Sequence, residues 1–431
     1  MMNPTIKARI ESIRRGEVPE GYKRTKIGIV PNEWGNVLFS TLIESFSVYT
    51  EDLEKYPLYS LTIEEGITPK TERYERSFLV KKKNAYKVMR PNDFAYNPMN
   101  LRFGAVARYK GEKLISVSGY YDIFTTKSKL DLEFMDNFLI FDNMITYYNK
   151  VSIGSLIEKQ RVHFSNFLNF ELPLPPPTER NRIAEILAGQ DRVIALKEKL
   201  LAEKQKQKKY LMQQLLTGKK RLPGFSGEWK CVRLGELGCF YSGLSGKTKE
   251  DFGSGKPYIP YKNIFNNPKI DCDFFEYVKI KENEKQTKVR YGDIFFTTSS
   301  EILSEVGMTS VMLDSVEELY LNSFCTGFRL YDFNLIHPEY ASHYFRGEEF
   351  RIALNKISQG ITRFNLSKNG LSKISLTLPS IEEQLAIAQI LSTVDKEIEL
   401  LKKDIEQEKL KKKSLMQLLL TGIVRVDELV S

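Results

Sequence analysis

Little in this chain suits a membrane, a disulfide scaffold or a metal centre. No stretch approaches about 18 uninterrupted apolar residues, so no membrane-spanning helix is expected. The opening residues, MMNPTIKARIESIRRGEVPEGYK, have no apolar core of a secretory leader. Only four cysteines occur, Cys231, Cys239, Cys272 and Cys325, and none form a CxxC pair. That argues against a zinc ribbon or a disulfide framework and fits a reducing cytoplasm. The three histidines, His163, His337 and His343, are too scattered to suggest a metal site. Acidic residues are in deficit: net charge is +9 and the pI about 9.0, a moderate excess that favours a polyanionic partner without requiring one.

Catalytic signatures are missing too. GLSGKT (243–248) ends like a phosphate loop, but the GxxxxGK[ST] pattern needs glycine where Tyr241 stands. GSGKP (253–257) lacks the Ser or Thr after lysine, and YNPMN (96–100) lacks the second proline and the aromatic of an adenine methyltransferase motif. No HExxH or nucleophile elbow occurs, and the acidic residues form no local nuclease pattern.

What the chain does contain is a repeat. LMQQLLTG (211–218) returns as LMQLLLTG (415–422), and the match extends upstream without a gap. Residues 172–218 and 376–422 are identical at 21 of 47 positions, which marks a duplication. Each copy reads as one helix of about 40 residues, roughly 60 Å long at 1.5 Å per residue. Pro177 suits a first helical turn. Ser380 and Glu383 fit a capping box in which the glutamate reaches back. Gly218 and Gly422 suit left-handed C-terminal caps.

A heptad stripe runs through both copies: Leu187, Ile194, Leu201, Lys208 and Leu215, then Leu391, Ile398, Ile405, Lys412 and Leu419. The shared register predicts a coiled coil, with the lysines fixing register or partner. Net charges of +4 over 178–218 and −1 over 380–422 favour pairing of unlike copies. The plainer alternative is that each helix packs on its own domain.

The duplication extends into the globular segments. The only tryptophans, Trp34 in PNEW and Trp229 in SGEW, open similar apolar patterns, and KVMRPNDFAYNP (87–98) parallels KVRYGDIFFTTS (288–299), aligning Asp93 with Asp293. With 431 residues, more than one domain is expected. The boundaries are 1–25, an N-terminal helical segment with Ile6, Ile10 and Ile13 on one face; 26–175, a first globular domain; 176–218, the first long helix; 219–379, a second globular domain; 380–422, the second long helix; and 423–431, a tail. The N-terminal helix is expected to pack beside the C-terminal one. Short β-type runs such as SFLV (77–80), GAVARY (104–109), KLISVSGYYDIFTT (113–126), DIFFTTS (293–299) and TSVMLD (309–314) dominate the globular segments, and helical pattern is sparse. The fold class is therefore α/β (α+β): two mixed domains with curved, mostly antiparallel sheets, and two long helices paired with each other, in a pseudo-two-fold repeat.

Basic residues cluster on polar stretches: Arg73, Arg76, Lys81, Lys82 and Lys83 in the first segment, and Lys247, Lys249, Lys262, Arg290 and Arg363 in the second. On loops such residues neutralise phosphates, and arginine also reads guanine edges. The competing reading is a solvated surface run.

The ordered set of motifs resembles the specificity subunit of type I restriction–modification systems over nearly the whole chain. The resemblance rests on GYKRTKIGIVPNEW with its counterpart Glu228-Trp229, on YSGLSGKTKEDFGSGKPYIPYKNIF, on VRYGDIFF, on QGITRFNLSKNGLSKISLTLP, and on the two helices running from LPLP or LTLP to LLTG. It implies two target-recognition domains, each reading half of a split sequence in double-stranded DNA, and a helix pair that forms an antiparallel coiled coil and acts as a ruler. It also implies recruitment of two methyltransferase subunits carrying S-adenosylmethionine, which two translocase–nuclease subunits using ATP and Mg join. No cofactor, metal or membrane is expected on this chain itself. The rival readings are a coiled-coil scaffold for proteins and an enzyme with a dispersed active site.

Overall fold

The computed structural model describes residues 4–70, 85–156 and 159–429. The chain divides into two compact units. One combines the residues up to Glu198 with those from Asp404 onward, and the other is Lys199–Lys403. The division falls inside both long helices, Pro177–Leu215 and Ile381–Leu419, each of 39 residues.

Both units are built on the same frame. The first holds a four-stranded antiparallel sheet in the order Ile43–Phe46, Asp122–Thr126, Phe94–Tyr96, Val106–Arg108. The second holds Gly238–Ser242, Cys325–Leu330, Ile294–Thr297, Thr309–Val311 in the same order. Each unit adds a two-stranded pair, Gly35–Leu38 with Glu171–Leu174 and Lys230–Arg233 with Ser375–Leu378. The last strand of each pair leads into a long helix. Asp93 and Asp293 build the same turn: each carboxylate accepts the backbone N–H three residues earlier, from Arg90 at 2.7 Å and from Arg290 at 2.8 Å.

The smaller sheets share a core and differ at their edges: Ile115–Ser118 and Tyr320–Leu321 each run antiparallel to one neighbour, at Lys87 or Lys288, and parallel to another, at Leu58 or Tyr258. In the first unit Ile115–Ser118, Tyr86–Met89 and Tyr49–Thr50 pair antiparallel. In the second, Glu276–Val278 flanks the long strand Phe252–Ile259, whose other edge pairs parallel with Tyr320–Leu321.

The globular segments hold more helix than their sequence suggests: Leu132–Phe138 and Asp142–Val151 in one unit, Pro338–Tyr344 and Glu348–Ile357 in the other. Each is short, seven or ten residues, and is fixed by burial of its aromatic side chains, Phe134, Phe138 and Tyr148 in the first unit and Tyr340 and Phe350 in the second. The first core is an aromatic cluster centred on Phe167, packed on Phe39, Tyr96, Phe124 and Phe170. Among the described residues, no helix is long and apolar enough to cross a membrane.

Candidate nucleic-acid interface and helix contacts

In each unit a segment of one long helix lies antiparallel to a segment of the other. In the first unit Gln190 donates to the Glu408 carboxylate at 2.7 Å, Lys197 pairs with Asp404 and Glu408 at 2.8 Å, and Lys412 pairs with Asp191 at 2.7 Å. In the second, Lys204 pairs with Glu397 at 2.6 Å and Lys208 with Asp395 at 2.5 Å. Lys208 and Lys412 are thus equivalent, each bound to the aspartate at the same point of the opposite repeat.

The ten heptad residues face inward to different depths. Leu187 and Leu419 belong to the first core, Leu215 and Leu391 to the second. Ile194, Ile398 and Ile405 are buried, while Leu201, Lys208 and Lys412 are half-buried. The two readings of the helices therefore combine: their ends pack into the globular cores, and polar pairs bridge them between.

The ends are fixed by a four-residue constellation that occurs twice. Trp34 is buried and its Nε1 donates to Glu179 at 3.2 Å, and Arg425 grips the same carboxylate at 2.7 and 3.0 Å. Trp229 Nε1 donates to Glu383 at 3.2 Å, and Arg221 grips it with two bonds of 2.7 Å. Gly422 packs on Pro31 and Trp34, and Gly218 on Trp229, both at φ near +70°. Each bidentate arginine fork matches its carboxylate in geometry as well as charge. The fork also corrects the capping expectation. Ser380 Oγ does accept from the Glu383 N–H at 3.4 Å, but the Glu383 carboxylate is held by Arg221 and Trp229 and does not reach back. The arginines lie three residues beyond each LLTG glycine, a signal present in the sequence just past the end of the alignment.

At the chain start, helix Pro4–Arg14 is tied to the turn after the second long helix. Arg9 donates to the Ile423 carbonyl and to Glu428, and Tyr22 donates to the Gly422 carbonyl.

The basic candidates have different fates. Arg73, Arg76, Lys81, Lys82 and Lys83 lie outside the described residues, as does SFLV. Lys247 is spent internally: its ammonium donates to Glu284 at 2.5 Å and to the Lys279 carbonyl at 2.6 Å, with 5% of the side chain exposed. That pairing holds the Glu284 carboxyl down at about 2. The Thr248 N–H is taken by Asp251. The SGKT loop thus carries carboxylates where a phosphate would need free donors. Lys249, Lys262, Arg290 and Arg363 are exposed. Lys262 and Arg363 share a neighbourhood, because Tyr261 Oη and Arg363 Nη2 both reach Ser299. Arg290 sits apart, before the strand Ile294–Thr297 whose far end leads to Ser299.

Other arginines that sequence cannot sort are structural. Arg346 donates to the carbonyls of Thr309, Ile264, Phe265 and Asn267, and burial pulls its guanidinium down to about 10. Arg329 grips buried Asp293, which also accepts from Tyr241 at 2.7 Å. Among the described residues, no cluster of His, Cys, Asp and Glu is arranged to hold a metal ion.

Comparison with known proteins accounts for this arrangement. The sequence profile of the type I restriction modification DNA specificity domain matches twice, at residues 45–205 and 226–409. The type I restriction enzyme MjaVIII specificity subunit of Methanocaldococcus jannaschii is 27% identical over 311 residues, covering 67% of this chain and 72% of that protein. The putative type I restriction enzyme MjaX specificity subunit of the same organism is 24% identical over 443 residues, covering 94% and 97%. The crystal structure of a type I restriction–modification S subunit from M. genitalium shares the fold with a TM-score of 0.51 at 15% identity, covering 90% of this chain and 96% of that one. The chain belongs to the type I restriction–modification DNA specificity family, as a recognition subunit and not a catalytic one.

Proposed function

We propose that each unit reads one half of an asymmetric, bipartite sequence in double-stranded DNA, and that the long helices set the gap between the halves. The observation that carries this reading is one sheet frame built twice, with smaller sheets whose edge strands differ, Tyr49–Thr50 in the first unit and Glu276–Val278 in the second. A shared frame gives two modules the same way of meeting a duplex, and the differing parts give them different bases to read. Exposed Lys249, Lys262, Arg290 and Arg363 supply positive charge on the loops of the second module. The heptad residues and the lysine–aspartate pairs support the helices as a paired ruler, an antiparallel coiled coil of roughly 60 Å.

The chain recruits two methyltransferase subunits for adenine-N6 methylation, and through them two translocase–nuclease subunits. S-adenosylmethionine, ATP and Mg reside on those partners. Supporting a partner surface, Leu196 and Leu400 occupy the same place in the two repeats and are both exposed, at 67% and 66%, so the same apolar contact is offered twice.

Inserting seven residues, two helical turns, at one matched level in both long helices tests the ruler. The methylated site should keep both half-sequences and gain spacer, about 10 Å or roughly 3 base pairs of rise. Altered half-sequences at constant spacing would refute it.

A further inference from the structure

Between helix Glu348–Ile357 and strand Ser375–Leu378 the second unit carries a narrow hairpin. Reciprocal backbone bonds close it, Gln359 N–H to the Asn365 carbonyl at 3.0 Å and Asn365 N–H to the Gln359 carbonyl at 2.8 Å. Gly360 sits at φ +127°, and a Cβ there would lie 2.0 Å from the Arg363 carbonyl oxygen, so the turn requires glycine. Asn365 Nδ2 donates to that same carbonyl, Arg363 Nη2 donates to Ser299 Oγ, and Phe364–Asn365 pairs with Ser299–Ser300. All this bonding presents a bare isoleucine: Ile361, at the tip, is 95% exposed.

One exposed isoleucine would call for no explanation. The first unit, however, repeats the device. Ile153 and Arg161 exchange the same two backbone bonds, at 2.9 and 3.0 Å. Gly154 follows at φ +158°, where a Cβ would lie 2.8 Å from the Lys159 carbonyl oxygen, and Leu156 behind it is exposed. Each hairpin precedes a short helix, Phe164–Leu168 or Lys368–Ser372, and then the strand that leads into a long helix. The intervening residues differ, while the glycine turn and an apolar residue beyond it recur.

The setting of Ile361 points to the occupant. Exposed Arg363 is two residues away, and Lys262 follows the tyrosine that bonds Ser299. Phe324, a second exposed apolar side chain, is held there by Thr298, whose N–H and Oγ1 both donate to its carbonyl. An apolar tip on a hairpin that also carries an exposed cation matches a surface that offers phosphates outside and stacked bases within.

We propose that Ile361 is a wedge that enters a base step of the half-site read by the second module, while Arg363 and Lys262 hold the flanking phosphates. This rests on the DNA-reading function proposed above. Apolar wedges part base pairs at a cost set by the step, lowest at pyrimidine–purine steps. The hairpin would therefore add selectivity in the second module's half-site where no hydrogen bond is made.

The test uses the full chain assembled with its methyltransferase partner, and duplexes of its methylation site with 2-aminopurine placed at successive positions. The wild-type complex should raise fluorescence at one step of the second module's half-site. Ile361→Ala should abolish that rise and weaken specific binding about tenfold, the order expected for losing one contact to a base. Ile361→Phe should retain both. Because the side chain is solvated, the thermal midpoint of the second unit should stay unchanged in either variant. Specific binding with Ile361→Ala indistinguishable from wild type would overturn the wedge alone. A wild-type complex that binds no sequence preferentially would overturn the recognition function and the wedge with it.

Discussion

Replacing Glu179 with alanine should loosen the first unit while sparing the second. The substitution removes the acceptor of the buried Trp34 indole N–H, leaving a donor without a partner at about 1–3 kcal/mol. It also breaks the fork from Arg425. That guanidinium is a quarter exposed and keeps Glu33 at 3.1 Å, so this part is discounted to about 1 kcal/mol. The total, about 2–4 kcal/mol, corresponds to a midpoint drop of about 4–16 °C for a unit of this size. Glu179→Gln keeps an acceptor for the indole and should lose about half as much. Each unit contains one tryptophan, so each can be followed separately: Trp34 emission in a Trp229→Phe background reports the first unit, and Trp229 emission in a Trp34→Phe background the second. Because the two residues act on one another, Glu179→Ala with Arg425→Ala should cost less than the sum of the single changes. A Trp34 midpoint moved by less than about 1 °C, or a Trp229 midpoint moved equally, would refute the role of this constellation.

Two further perturbations follow from the same contacts. Gly422→Ala should destabilise the first unit more than Gly218→Ala destabilises the second. Both positions are left-handed, worth about 1–2 kcal/mol for alanine, but the new Cβ at 422 would lie 2.6 Å from Pro31, whereas at 218 it would lie 3.3 Å from Trp229; equal losses in the two tryptophan-reported transitions would contradict this. His343 supplies a pH dependence: burial, then the charges of Lys269 and Lys208, push its imidazole down to about 3. The unfolded chain takes up this proton near pH 6.5 and the folded one does not. Stability of the second unit is therefore full above pH 6.5 and falls towards pH 3, by up to about 1.4 kcal/mol per pH unit. His343→Gln should flatten the dependence of the Trp229 midpoint between pH 7 and 4.5, and an unchanged slope would assign it to other groups.

The frame was legible where it depends on periodicity and repetition. The heptads, the LLTG caps, the paired tryptophans and the Asp93 and Asp293 turns all lie where duplication places them. What escaped was long-range pairing between unlike residue types. Nothing local marks Glu179 and Glu383 as acceptors for indole N–H groups 145 and 154 residues away. Helices such as Asp142–Val151 were hidden because tyrosine, threonine and isoleucine lower helix propensity and only packing restores it. Lysines were the least legible, since Lys247 and Lys249 look alike in sequence. A carboxylate 37 positions along the chain decides that the first is a strut.

The central claim is that this chain directs methylation to one split, asymmetric sequence. Genome-wide mapping of N6-methyladenine in cells with and without its gene tests it most directly. Deletion should erase methylation at a single bipartite motif with two different halves and leave other motifs intact. An unchanged methylation pattern, or loss of an undivided motif, would contradict it.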